Sequence, residues 1–83
     1  MPTVLVIDDN PDVGDALQLL LSLQGIATHI ALSPEEGLKA LAQADLVIQD
    51  MNFSADTTSG DEGVALFQRI RLARPDLPVI LLT

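Results

Sequence analysis

The sequence predicts an α/β domain built as a doubly wound parallel sheet, and three features predict it. Four short apolar runs alternate with three helix-patterned segments. The first of these runs, residues 3–7, is continuous and rich in β-branched residues, as in a strand covered on both faces. Two of the helical segments open on a capping residue followed by proline, Asn10-Pro11 and Ser33-Pro34, which marks where each helix begins. The order βαβαβαβ then implies parallel strands, right-handed crossovers and helices on the faces of the sheet.

Each element has its own signal. Residues 3–7, TVLVI, read as the first strand. In the helix that follows, Asp12 and Asp15 lie near the positive end of the helix dipole. Val13, Ala16, Leu17, Leu20 and Leu21 recur at helical spacing and predict the inner face. Gly25 predicts the stop, as the C′ residue. Residues 26–32 read as the second strand. Ser33 and Glu36 have capping-box spacing, with Leu38, Leu41 and Ala42 inward and Gly37 as a weak point in the helix. Residues 45–49, DLVIQ, read as the third strand and deliver Asp50. The small, polar stretch MNFSADTTSGDEG predicts a loop. A third helix is expected over about 62–73, with Val64, Phe67 and Ile70 inward, then a turn at RPDLP and a fourth strand over 79–82.

Composition narrows the function. The chain has 83 residues, 48% of them apolar, which suits one core and one domain. With no Cys there is no disulfide framework, thiol nucleophile or thiolate metal site. No basic, apolar leader and no membrane-length apolar run occur, so no membrane partner and a cytoplasmic location are expected. The net charge is −8 with four basic residues, and the only aromatics are Phe53 and Phe67. Phosphate backbones would repel such a chain and bases would find little to stack on, so this segment is not expected to bind nucleic acid directly.

The chemistry lies where the strands end. In open α/β sheets, ligands bind outside the carboxyl ends of the strands. Asp8, Asp9, Asp50 and Thr83 all stand at such ends, and parallel strands would bring them to one edge. Three carboxylates there repel one another by a few kcal/mol per pair, at roughly 4–5 Å and an effective dielectric near 20. Either a raised pKa or a bound cation relieves this. An exposed all-oxygen site suits Mg²⁺, which keeps several waters. A carboxylate beside that ion is placed to attack a phosphoryl group, and a threonine hydroxyl to hydrogen-bond it. The spacing thus points to Mg²⁺-assisted phosphorylation of an aspartate.

The runs VLVIDDN, DLVIQDMN and VILLT, in this order and at these separations, make the chain resemble the receiver domain of two-component response regulators. The resemblance implies the flavodoxin-like fold with strand order 2-1-3-4. It implies Asp50 as phosphoacceptor, Asp9 as a direct Mg²⁺ ligand and Asp8 as one acting mainly through water. It also implies a metal bond from the backbone carbonyl of Asn52, Thr83 as the switch hydroxyl, and a histidine kinase as partner and donor. An output domain, most often for transcription, would lie outside this segment.

Departures accompany the resemblance. Ser54 stands where the family usually has proline, and the loop over 51–61 is about five residues longer than the family pattern suggests. The family's fifth strand, with its lysine, and its last two helices are not among these residues, and Lys39 on the second helix does not replace that lysine. The chain is therefore expected to be a receiver domain over 1–83 without those elements. Its fourth strand would be an apolar sheet edge, and a dimer or higher oligomer would form through it.

Two other functions compete. One is a degenerate receiver that serves as a dimerisation or docking module. The other is an aspartate-nucleophile phosphatase, but such enzymes place a second acid two residues after the nucleophile. Here Asn52 and Asn10 occupy those positions. A turnover enzyme is thus not expected; at most the chain phosphorylates its own aspartate. His29 reads as a surface strand residue, and Asp56, Asp61 and Glu62 as loop or capping acids. Arg69, Arg71 and Arg74 read as a solvated face.

Overall fold

The computed structural model describes residues 2–53 and 61–83. Its elements are β1 (Thr3–Ile7), α1 (Pro11–Ser22), β2 (Ala27–Ala31), α2 (Pro34–Ala40), a 3-10 turn (Leu41–Gln43), β3 (Leu46–Asp50), α3 (Asp61–Ala73) and β4 (Val79–Leu82). The strands form one parallel sheet in the order β2-β1-β3-β4. Class, element order and strand order are those expected. Ser54, Asp56 and the side chain of Asp61 lie outside the described residues, as does most of the long loop over 51–61.

The two faces of the sheet are covered unequally. Leu5, Ile7, Ala31 and Val47 pack against Ala40 and Leu41 from the α2 side and Leu66 and Ile70 of α3. Each fully buried large side chain there contributes roughly 1.5–3 kcal/mol. On the other face Val4, Val6 and Ile48 meet Leu17 and Leu21 of α1. Among the described residues α1 is alone on that face. Leu19, Leu20 and Leu23 remain 65%, 60% and 73% exposed. The expected inner face of α1 is therefore narrower: Leu20 and Ala16 point outward, while Gly14 is buried because a Cβ there would sit 2.9 Å from Ile30.

The caps form largely as the sequence implies. The Asn10 side chain accepts from Asp12 N–H at 3.0 Å. Ser33 Oγ accepts from Glu36 N–H at 3.2 Å, and Glu36 Oε2 accepts from Leu32 N–H at 3.1 Å, one residue before the usual reciprocal partner. Gly25, with φ +73°, closes α1 through Gly25 N–H to Ser22 O and Ile26 N–H to Leu21 O.

Four further expectations need correction. Gly37 is not merely a weak point: a Cβ there would lie 2.5 Å from Ile7 Cδ1, so the glycine lets α2 approach β1. Ala42 is exposed and Ala44 buried, because α2 gives way to a 3-10 turn that shifts the helical phase. In α3, Val64 is 43% exposed and Leu66 is buried beside Ile70, so the inner face is rotated from the one expected. Arg71 and Arg74 are not a solvated face. Arg74 donates to Leu41 O and Ala44 O, tying α3 to the end of the 3-10 turn. Arg71 donates to Pro75 O and Leu77 O and lies over the Phe67 ring.

Candidate metal centre

Register puts the acids side by side. In the sheet Ile7 pairs with Gln49, so the next residues, Asp8 and Asp50, leave neighbouring strands at the same level. β3 runs one residue further than expected and includes Asp50, which pairs with Leu82. Asp8, Asp9 and Asp50 each offer a carboxylate oxygen, and these oxygens all lie within 4.8 Å of one another. Residues far apart in sequence thus meet at one point on the carboxyl edge of β1 and β3.

Two backbone amides orient the cluster. Asn10 N–H donates to Asp8 Oδ1 at 2.9 Å, and Asn52 N–H donates to Asp50 Oδ1 at 2.9 Å. Asp8 is 7% exposed, whereas Asp9 and Asp50 are half-buried. Burial pushes the Asp8 carboxyl above its ordinary range. The Asn10 hydrogen bond opposes this, and the charges of Asp50 and then Asp9 add to it.

Asn52 and Thr83, the other two expected site residues, stand just beyond the ends of β3 and β4. Asn52 is exposed and touches the cluster through its N–H. Thr83 is exposed and follows Leu82, one step beyond the residue that pairs with Asp50. His29 is exposed on β2, and Lys39 is exposed in the last turn of α2.

Gln49 is a residue that sequence reasoning passed over. It is fully buried, and its Nε2 donates to Gly63 O of α3 at 2.6 Å. Its position, a lone amide closing an otherwise apolar strand beside the acid, was the available signal.

A parallel sheet that gathers three acids where β1 and β3 end, at the reversal of strand order, defines an α/β domain with its candidate site at a topological switch point. The chain belongs to the response regulator receiver domain family, whose profile matches residues 4–83, and is a receiver domain of a two-component response regulator. It is 38% identical over 84 residues to the C4-dicarboxylate transport transcriptional regulatory protein DctD of Rhizobium meliloti, covering 99% of this chain and 17% of that protein. It is 40% identical over 86 residues to the transcriptional regulatory protein AfsQ1 of Streptomyces coelicolor, covering 100% of this chain and 35% of that protein. The chain thus spans about a third or less of these relatives' length.

Among solved structures, a response regulator receiver protein from Pseudomonas putida superposes with a TM-score of 0.82 at 32% identity, over 98% of this chain and 66% of that one. The response regulator TrrA from Thermotoga maritima, in complex with Mg²⁺-BeF, gives 0.82 at 30% identity, over 98% and 68%. No helix among the described residues is long and apolar enough to cross a membrane.

Proposed function

We propose that Asp50 is a phosphoacceptor whose modification by a histidine kinase regulates an output domain outside this segment. The observation that carries this reading is the convergence of the Asp8, Asp9 and Asp50 oxygens within 4.8 Å. The donor set fits Mg²⁺: all its atoms are carboxylate oxygens, and the site is half open to water. Asp9 and Asp50 would hold the ion directly, and Asn52 would add its backbone carbonyl. Asp8 is buried and already accepts from Asn10 N–H, which suits a ligand acting through water. When bound, Mg²⁺ supplies charge that offsets the acids and the transferring phosphoryl oxygens.

The rest belongs to the chain. An Asp50 oxygen bonds to phosphorus while the P–N bond of the kinase phosphohistidine breaks and the imidazole leaves with the bonding electrons. Asn52 N–H, on Asp50 Oδ1, holds that carboxylate in one rotamer for the attack. Thr83 is the hydroxyl assigned to a phosphoryl oxygen. The TrrA complex with Mg²⁺-BeF supports this reading by likeness. The relatives' description as transcriptional regulatory proteins supports transcription as the regulated output.

We read these 83 residues as a receiver domain without its fifth strand and last two helices, in keeping with the 66% and 68% of the solved receivers that they match. In the segment as it stands, β4 is the edge of the sheet, with Ile80 and Leu81 49% and 40% exposed. Pairing of β4 with a second copy belongs to the same reading. So does a cytoplasmic location, which cell fractionation checks.

The test is incubation with Mg²⁺ and acetyl phosphate, read by mass spectrometry. The expected result is a base-labile gain of one phosphoryl group, absent in Asp50→Asn. No gain in this chain or in one extended through the family's lysine strand would leave a docking module as the better reading.

A further inference from the structure

We propose that Gln49 is a positioning residue for the Asp50 carboxylate, kept at this buried place for the site rather than for stability. The inference deepens the proposed function and rests on it.

The observations form a short chain of contacts. Gln49 precedes Asp50 on β3, and its side chain is fully buried. Its Nε2 donates to Gly63 O, in the first turn of α3, at 2.6 Å. That nitrogen also lies 3.4 Å from Asp50 O and 3.4 Å from Met51 Sδ. Gly63 in turn touches the backbone of Met51 so closely that a Cβ would stand 2.5 Å from Met51 O, 2.7 Å from its Cα and 2.9 Å from its carbonyl carbon. The Met51 carbonyl and the Asn52 N–H belong to one planar peptide unit. That N–H is the donor to Asp50 Oδ1. The Gln49 amide therefore holds α3 against the peptide that orients the acceptor.

The second observation is what the amide lacks. Gln49 Oε1 is buried and has no partner among the described residues. A half-satisfied buried amide costs stability, whereas an apolar side chain of the same length would not. Its one good bond goes to a carbonyl at the start of a helix, which the helical ladder serves in any case. Stability alone therefore does not favour glutamine here, and a leucine or methionine would pack the site as well. The feature the glutamine adds is a fixed distance between α3 and the Met51–Asn52 peptide. Sites of function are where such local costs are retained.

Gln49→Met and Gln49→Leu, made in this chain, test the inference. Three quantities are read: the thermal midpoint in EDTA, the Mg²⁺ dissociation constant by calorimetry, and phosphorylation by acetyl phosphate as Mg²⁺ is raised. The expected result is an unchanged or higher midpoint, a Mg²⁺ dissociation constant raised about 3- to 10-fold, equivalent to roughly 0.7–1.4 kcal/mol, and phosphorylation that recovers to within about twofold at saturating Mg²⁺. A purely structural role would instead lower the midpoint and leave the dissociation constant where it was. Unaltered Mg²⁺ affinity in both variants overturns the inference, and so does loss of folding in both. If the unsubstituted chain itself fails to bind Mg²⁺, the proposed function fails first, and the inference falls with it.

Discussion

Replacing Asp8 by asparagine should stabilise the metal-free chain. Asp8 is 7% exposed and shares a 4.8 Å cluster with two other carboxylates. At 4.8 Å and an effective dielectric of about 20, each pair repels by roughly 3.5 kcal/mol. Asp9 and Asp50 are half open to solvent, and water and salt reduce the two pairs together to about 2–3 kcal/mol. Asparagine keeps an oxygen for Asn10 N–H, but a neutral acceptor gives back about 0.5–1 kcal/mol. The net gain is about 1–2 kcal/mol, and the thermal midpoint should rise by about 4–8 °C per kcal/mol.

Far-UV circular dichroism in urea is the assay, because the chain has no Trp or Tyr. Added Mg²⁺ should narrow the gap. At ten times its dissociation constant the ion stabilises the unsubstituted chain by about 1.4 kcal/mol, and the variant by less. A variant that is less stable in EDTA would refute the claim that these acids strain one another in the folded chain.

Other consequences follow from the same packing and charge. The raised Asp8 carboxyl makes the folded chain hold that proton more tightly than the unfolded chain does. The contribution of Asp8 to stability in EDTA should therefore fall as pH rises from 3.8, its ordinary value, through the higher folded value, so the chain should lose stability relative to Asp8→Asn across that window. The same pH slope in the chain and in Asp8→Asn would contradict the burial and charge assigned to Asp8. Gly37→Ala places a methyl 2.5 Å from Ile7 Cδ1, inside the core. Overpacking of about 1–3 kcal/mol should outweigh the ~1 kcal/mol gain in helix propensity, so the urea midpoint should drop. Gel filtration of the 83-residue chain at micromolar concentration should show a dimer or larger species, and a clean monomer would rule out pairing along β4.

The first, third and fourth strands were legible because short apolar runs leave little else for them to be, and the caps at Asn10 and Ser33 show in the sequence by residue type. The acidic cluster was legible for a topological reason. Once the strands are parallel, acids at their carboxyl ends must share an edge, and register does the rest. What sequence did not show depends on distances between elements. Gly37 looks like a poor helix residue until Ile7 is seen against it. Arg74 looks like a surface cation until the carbonyls of Leu41 and Ala44 lie within its reach. The inner face of α3 was misjudged because Val64 and Leu66 are both apolar, and the contact with β3 decides between them. Gln49 was read by its place in a strand and not by its polarity, which is the feature that ties it to Gly63.

The central claim is that Asp8, Asp9 and Asp50 share one divalent ion, and a Mg²⁺ titration followed by ¹⁵N–¹H NMR tests it most directly. A shared ion requires saturable shifts concentrated at the amides of 8–10 and 50–52, lost in Asp9→Asn. Shifts spread evenly over separate surface acids such as Glu35 and Asp76, or none at either strand end, would contradict it.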